Sequence, residues 1–172
     1  KAKKTLKKIK KEDDLYYWYR LKKEAQIIAK QRNKKESLNY ITSNFDNIKQ
    51  PNRRMILDIA NFYKNSKKYE KAAKYYSEII NSLNKDPQIK SDVLYRRGGS
   101  YERLGNYEDA DKDLLNSLKI NPNDAYVLNY LAYSWLERDY KINEAIEMLE
   151  TAYALKSNDP YIIDSIGWAY FM

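Results

Sequence analysis

The sequence predicts an all-α chain of antiparallel helix pairs stacked as a solenoid, about ten helices in all. Three observations carry that prediction. Glycine and proline are scarce, 4 of each in 172 residues, too few for sandwiches or barrels that turn every dozen residues. Small and apolar residues recur three or four apart through most of the chain, the spacing of one buried helix face. The same pattern returns 34 residues later, from Leu94 to Leu128, so one supersecondary unit is repeated along the chain.

Each element follows from that spacing. In residues 1–14, Ala2, Leu6 and Ile9 sit at the spacing of a second helix with no first helix before them, a basic remnant of a truncated repeat. Over 15–51, Leu21, Ala25 and Ile28 predict a first helix and Ser37 and Ile41 a second, in a degenerate copy ending near Pro51. Over 52–88, Ile56, Ala60 and Tyr63 pair with Ala72, Tyr76 and Ile79, before a longer connection through Asn84, Lys85, Asp86 and Pro87. The clearest copy spans 89–122. Leu94, Gly98 and Tyr101 lead to a loop at Leu104-Gly105-Asn106, then Tyr107, Ala110, Leu114 and Ser117, with a stop at Asn121-Pro122. Gly98 and Ala110 let two backbones approach, and Pro122 cannot continue the helix. Over 123–157, Leu128, Leu131, Ala132 and Trp135 face Ala145, Leu149 and Ala152, with one extra residue in the loop around Asp139-Tyr140-Lys141. In 158–172, Ile163, Ile166, Gly167 and Tyr170 predict a first helix whose partner would follow Met172.

The run Leu94, Gly98, Tyr101, Ala110 and Pro122 resembles the tetratricopeptide repeat pattern, W-x2-L-G-x2-Y, then A-x3-F, then P. Leu94 stands in the Trp slot and Arg97 in the Leu slot. Asn129 through Trp135, with Asp164 through Tyr170, also resembles bacterial tetratricopeptide arrays. The resemblance implies a right-handed superhelix that binds protein partners in a concave groove lined by first helices.

Composition narrows the chemistry. The chain has no cysteine and no histidine. That removes thiolate chemistry, Ser-His triads, the usual general base and every His-bound metal site. Asp109-x-Asp111-x-Asp113 opens like a calcium loop, but Leu114 and Ile120 stand where Gly and Glu are needed. Three carboxylates opening a helix suit its positive end instead. Gly98, Gly99 and Gly105 complete no phosphate cradle. No catalytic residue, metal site or cofactor is expected, and the chain reads as a non-enzyme.

The net charge of +8 is uneven. Residues 1–35 carry +10, residues 36–90 carry +4 and residues 91–172 carry −6. The Lys-rich run from Lys1 to Lys11, extended by Arg20, Lys22, Lys23, Lys30, Arg32, Lys34 and Lys35, offers a second reading: nucleic acid or another polyanion held by the basic N-terminal helices. Abundant Lys, Asn, Ile and Tyr fit an AT-biased genome. No apolar run approaches the length of a membrane span. Because the sequence opens on Lys1 rather than Met, the true N-terminus is expected upstream, leaving a cytoplasmic or exported location open.

The resemblance also assigns groove positions. They are Leu57, Asn61 and Lys64 in one repeat, then Tyr95, Gly99, Glu102 and Arg103, then Asn129, Tyr130 and Tyr133, and finally Asp164 and Trp168. Asn61 matches one slot of the family's carboxylate clamp, but Leu57 occupies its Lys slot, so capture of a chaperone tail is not expected. What remains is a wall of aromatics and amides suited to an extended peptide, with Tyr95, Tyr130, Tyr133 and Trp168 as rungs of a ladder. Tyr63, Tyr76, Tyr101, Trp135 and Tyr170 are read as packing residues. Ile162, Ile163, Ile166 and Tyr170 are expected on an uncovered face, giving self-association through residues 160–172.

Overall fold

The computed structural model describes residues 14–83 and 86–172; the expected remnant helix in residues 1–13 lies outside the described residues, as do Asn84 and Lys85. All elements among the described residues are α-helices: α1 (Asp14–Gln31), α2 (Lys34–Phe45), α3 (Arg53–Asn65), α4 (Tyr69–Ser82), α5 (Pro87–Glu102), α6 (Tyr107–Ile120), α7 (Ala125–Leu136), α8 (Ile142–Leu155) and α9 (Pro160–Phe171). The chain forms two compact units, divided between Ile79 and Ile80 in the last turn of α4.

In the first unit, Asn33 and Asn52 cap α2 and α3. Each side chain accepts the backbone N–H three residues on, at 2.8 and 3.1 Å. Ser37 donates to the Ala25 carbonyl at 2.7 Å, the Tyr40 hydroxyl donates to buried Glu24, and Tyr17 donates to Asn44 at 3.2 Å. One residue number falls as its partner rises, so α1 and α2 run antiparallel. Trp18 meets Phe45 edge-on at 5.4 Å, Phe45 meets Tyr75 at 6.0 Å, and Tyr75 stacks on Tyr63 at 5.7 Å. That aromatic chain visits all four helices. Buried Leu21, Ile41, Met55, Ile59 and Tyr76 fill the space around it.

In the second unit, Asp86, Asp124 and Asp159 cap α5, α7 and α9. Ser91 and Ser117 exchange hydroxyl and carbonyl hydrogen bonds between α5 and α6, all buried, at 2.9–3.1 Å. A Cβ added at Gly98 would lie 2.9 Å from Leu114 Cγ and 3.2 Å from the Ala110 carbonyl, so only glycine permits this approach. Leu114 then joins Val127, Leu131, Ala132, Trp135, Leu136, Ala145, Leu149 and Ala169 in one core. The Asp residues with calcium-like spacing go to separate partners: Asp113 to Arg97, Asp111 to Arg138, and Asp109 to Asn106.

Three helix turns share one geometry. The amides of Lys68, Asn106 and Tyr140 donate to the carbonyls of Tyr63, Tyr101 and Trp135 at 2.9, 3.0 and 3.0 Å. Inside each, Lys67, Gly105 and Asp139 take positive φ of 57, 75 and 51°. These are Schellman turns, and only one of them carries the residue that favours this conformation. The longer third loop ends on Lys141, also left-handed at φ 45°.

Two expectations for α9 need correction. Ile162 is fully buried against Ala125, Leu128 and Ala152 rather than exposed. It shares a stripe with buried Ser165 and Ala169, three and seven residues on, which is the face α9 turns inward. Tyr170 lies at the flank of that stripe; it is 66% exposed and its hydroxyl donates to Glu150 at 2.8 Å, so it is no packing residue.

Candidate functional site

In the second unit the expected groove residues fall on α5, α7 and α9 and separate into two groups. The first is closed on itself. Tyr130 crosses α5 with its ring edge-on to Tyr95 at 5.8 Å and its hydroxyl 3.4 Å from where a Gly99 Cβ would stand. That hydroxyl donates to Glu102 at 2.8 Å, and Arg103 lies 3.4 Å from the same carboxylate oxygen. Burial, then the Glu102 carboxylate, pushes the Tyr130 phenol far above its ordinary range. Tyr95 is raised too, first by burial and then by Asp124. These contacts join α5 to α7.

The second group is open. Tyr133, Ile163, Asp164, Gly167, Trp168 and Phe171 line a hollow of about 510 Å³ between α7 and α9. Trp168 stacks on Phe171 at 5.9 Å, leaving 44% of the indole exposed. One turn before Tyr133 on α7, Asn129 presents the same helix face. Its Oδ1 is buried and has no hydrogen-bond partner among the described residues. An unmatched buried acceptor costs about 1–3 kcal/mol. Of the expected residues, then, Tyr133, Asp164 and Trp168 meet at one hollow, and Asn129 is not part of its lining. Tyr95, Glu102, Arg103 and Tyr130 form the tied cluster. Phe171 and Gly167 were not anticipated as lining, although Phe171 follows Trp168 by three residues on one helix.

Asn61 lies in the first unit, and its Oδ1 accepts from the Tyr76 hydroxyl at 2.7 Å. It lines a separate hollow of about 340 Å³ with Tyr19, Lys22, Lys23, Gln26, Asp58, Phe62 and Asn65. On the α1 side of this hollow the sequence reading had Lys22 and Lys23 as part of a basic patch, and did not single out Tyr19 or Gln26. Among the described residues no helix is long and apolar enough to cross a membrane.

Comparison with known proteins agrees with the all-helical repeat fold. Two models of the tetratricopeptide repeat match, over residues 54–82 and 91–124. A TPR repeat-containing protein of Methanocaldococcus jannaschii is 41% identical over 80 residues, covering 46% of this chain and 13% of that protein. One of Pseudomonas aeruginosa is 31% identical over 104 residues, covering 60% of this chain and 17% of its own. The chain therefore spans less than a fifth of the length of these relatives. Among solved structures, the Cut9–Hcn1 hetero-tetramer of the APC/C gives a TM-score of 0.70 at 17% identity, over 88% of this chain and 29% of that one. MamA from Desulfovibrio magneticus RS-1 gives 0.69 at 15% identity, over 90% and 84%. The first TPR of Spaghetti (RPAP3), bound to an HSP90 peptide, gives 0.61 at 18% identity, over 69% and 90%.

Proposed function

The chain is built of tetratricopeptide repeats, and on that premise we propose that it is a non-catalytic scaffold that holds an extended peptide of a protein partner. The observation that carries this reading is the hollow of Tyr133, Ile163, Asp164, Trp168 and Phe171, open to solvent. Large aromatic walls give contact area at low entropic cost, and a carboxylate beside them accepts from a peptide's N–H groups. The peptide-bound Spaghetti domain supports the class of ligand. Tyr95, Tyr130, Glu102 and Arg103 form the tied cluster that joins α5 to α7 and stand outside the lining of this hollow.

The test is selection of peptides from a random display library on the whole chain, followed by calorimetry. Tyr133→Ala and Trp168→Ala should each lose about 1–3 kcal/mol of binding, with melting temperature unchanged. Selected peptides that bind both variants as tightly as the parent would place the site elsewhere.

A further inference from the structure

The first unit carries a second hollow contiguous with the one around Asn61. Ala29, Lys34, Ser37, Leu38, Phe62, Asn65 and Ser66 enclose about 480 Å³, and Phe62 and Asn65 line both spaces. Together they make one trough that follows α1 from Tyr19 to Ala29, roughly 15 Å at the helical rise per residue.

Its lining has a definite chemistry. Lys22, Lys23 and Lys34 supply cations, Gln26, Asn61 and Asn65 supply amides, and Tyr19 and Phe62 supply rings. Cations attend the Tyr19 ring, with Lys22 at 5.1 Å and Arg54 at 6.0 Å from its centre. The one lining carboxylate, Asp58, is held by Lys22 at 2.6 Å and by the Trp18 indole at 2.9 Å. Elsewhere in this unit Glu24 is engaged by Arg20 and Tyr40, and Glu36 by Arg32. The carboxylate that lines the trough is thus paired, and Lys23 and Lys34 are exposed to solvent.

We propose that this trough binds single-stranded nucleic acid, with Lys23 and Lys34 on phosphates, a base stacked at Tyr19, and Gln26 and Asn65 on base edges. Three features favour it over an acidic peptide. Lys22, Lys23 and Lys34 place cations along the length of the trough, as a run of phosphates requires, and lysine serves phosphate as a point charge. Amides carry both donors and acceptors, as base edges do. The Tyr19 ring, exposed and beside cations, matches the stacking platforms of single-strand binders. The inference is independent of the peptide hollow on α7 and α9.

The experiment is fluorescence anisotropy of labelled 12-mer oligouridylate and oligothymidylate with the whole chain, across a salt series. Binding should weaken linearly in log salt. Lys23→Gln with Lys34→Gln should flatten that slope by about 1.4, at about 0.7 per phosphate contact in a single strand. Tyr19→Ala should weaken binding roughly tenfold at every salt. All three side chains reach the surface, so an unchanged melting temperature confirms folding. Tyr133→Ala should leave oligonucleotide affinity untouched, which separates this site from the peptide reading. Absence of binding at low salt overturns the proposal. So does affinity that ignores these substitutions, or polyglutamate binding as tightly as the oligonucleotides and indifferent to Tyr19→Ala.

Discussion

Arg97 grips Asp113 with two parallel hydrogen bonds, Nε to Oδ2 at 2.6 Å and Nη2 to Oδ1 at 2.7 Å, across the α5–α6 interface. Asp113 is buried, and Arg97 is partly so. The carboxylate raises the guanidinium pKa, first through its hydrogen bond. Removing one partner strands the other. Asp113→Ala should cost about 3–5 kcal/mol in urea denaturation, whereas Arg97→Leu with Asp113→Leu should come within about 1 kcal/mol of the parent. A single variant as stable as the double one would contradict this account.

The Schellman turns give a second test. A non-glycine residue in the left-handed region costs about 1–2 kcal/mol. Asp139→Gly and Lys67→Gly should each stabilise the chain by about 1 kcal/mol, and Gly105→Ala should destabilise it by a similar amount. Thermal unfolding reads all three. A loss of stability in Asp139→Gly would show that its side chain, not its backbone, matters there.

Tyr130 sets a pH limit. Its folded pKa lies above the unfolded value of about 10. The folded state therefore holds the proton longer, and the stabilisation is complete below pH 10 and shrinks as pH rises through the folded value. Each pH unit in that window removes about 1.4 kcal/mol for this group alone. Tyr130→Phe should flatten the alkaline decline, measured by urea midpoints between about pH 9 and pH 11. A decline as steep in the variant would assign the effect to other tyrosines.

The outer face of α9 predicts self-association. Tyr161 and Phe171 are 77% and 81% exposed, beside Trp168 and Ile163. Scattered apolar residues are ordinary on a surface, but a contiguous group is not. Light scattering should show mass rising with concentration, and Phe171→Asp should restore the monomer. If added salt dissociates the assembly, charge rather than this face holds it.

The helix pairs were legible because close contact needs small residues at fixed spacing. Gly98, Ala110 and Ser117 mark where α5 and α6 touch, and Ala132, Ala145 and Ala152 mark the same for α7 and α8. Arg97 looked like a defect in the repeat; its meaning depends on Asp113, 16 residues away, which no local pattern connects. Ile162 and Ile163 could not be told apart, since a turn of 100° per residue separates a buried side chain from an exposed one and the segment is apolar at both positions. The trough on α1 was legible in part, as charge: Lys22, Lys23 and Lys34 stood out in the sequence. Tyr19, Gln26 and Asn65 did not, because what groups them is the packing of α1 against α3, which no local pattern connects.

The three turns also bear on how the array opens. The amides of Lys68, Asn106 and Tyr140 lie at loops yet are bonded to the last turn of the preceding helix. In hydrogen exchange they should be protected to the same degree as that helix rather than at the rapid rate of surface loops. Each turn then fastens its two helices into one exchanging block, and the seams where deuterium enters first should fall between pairs, around Gln50 and Asn123, instead of within them.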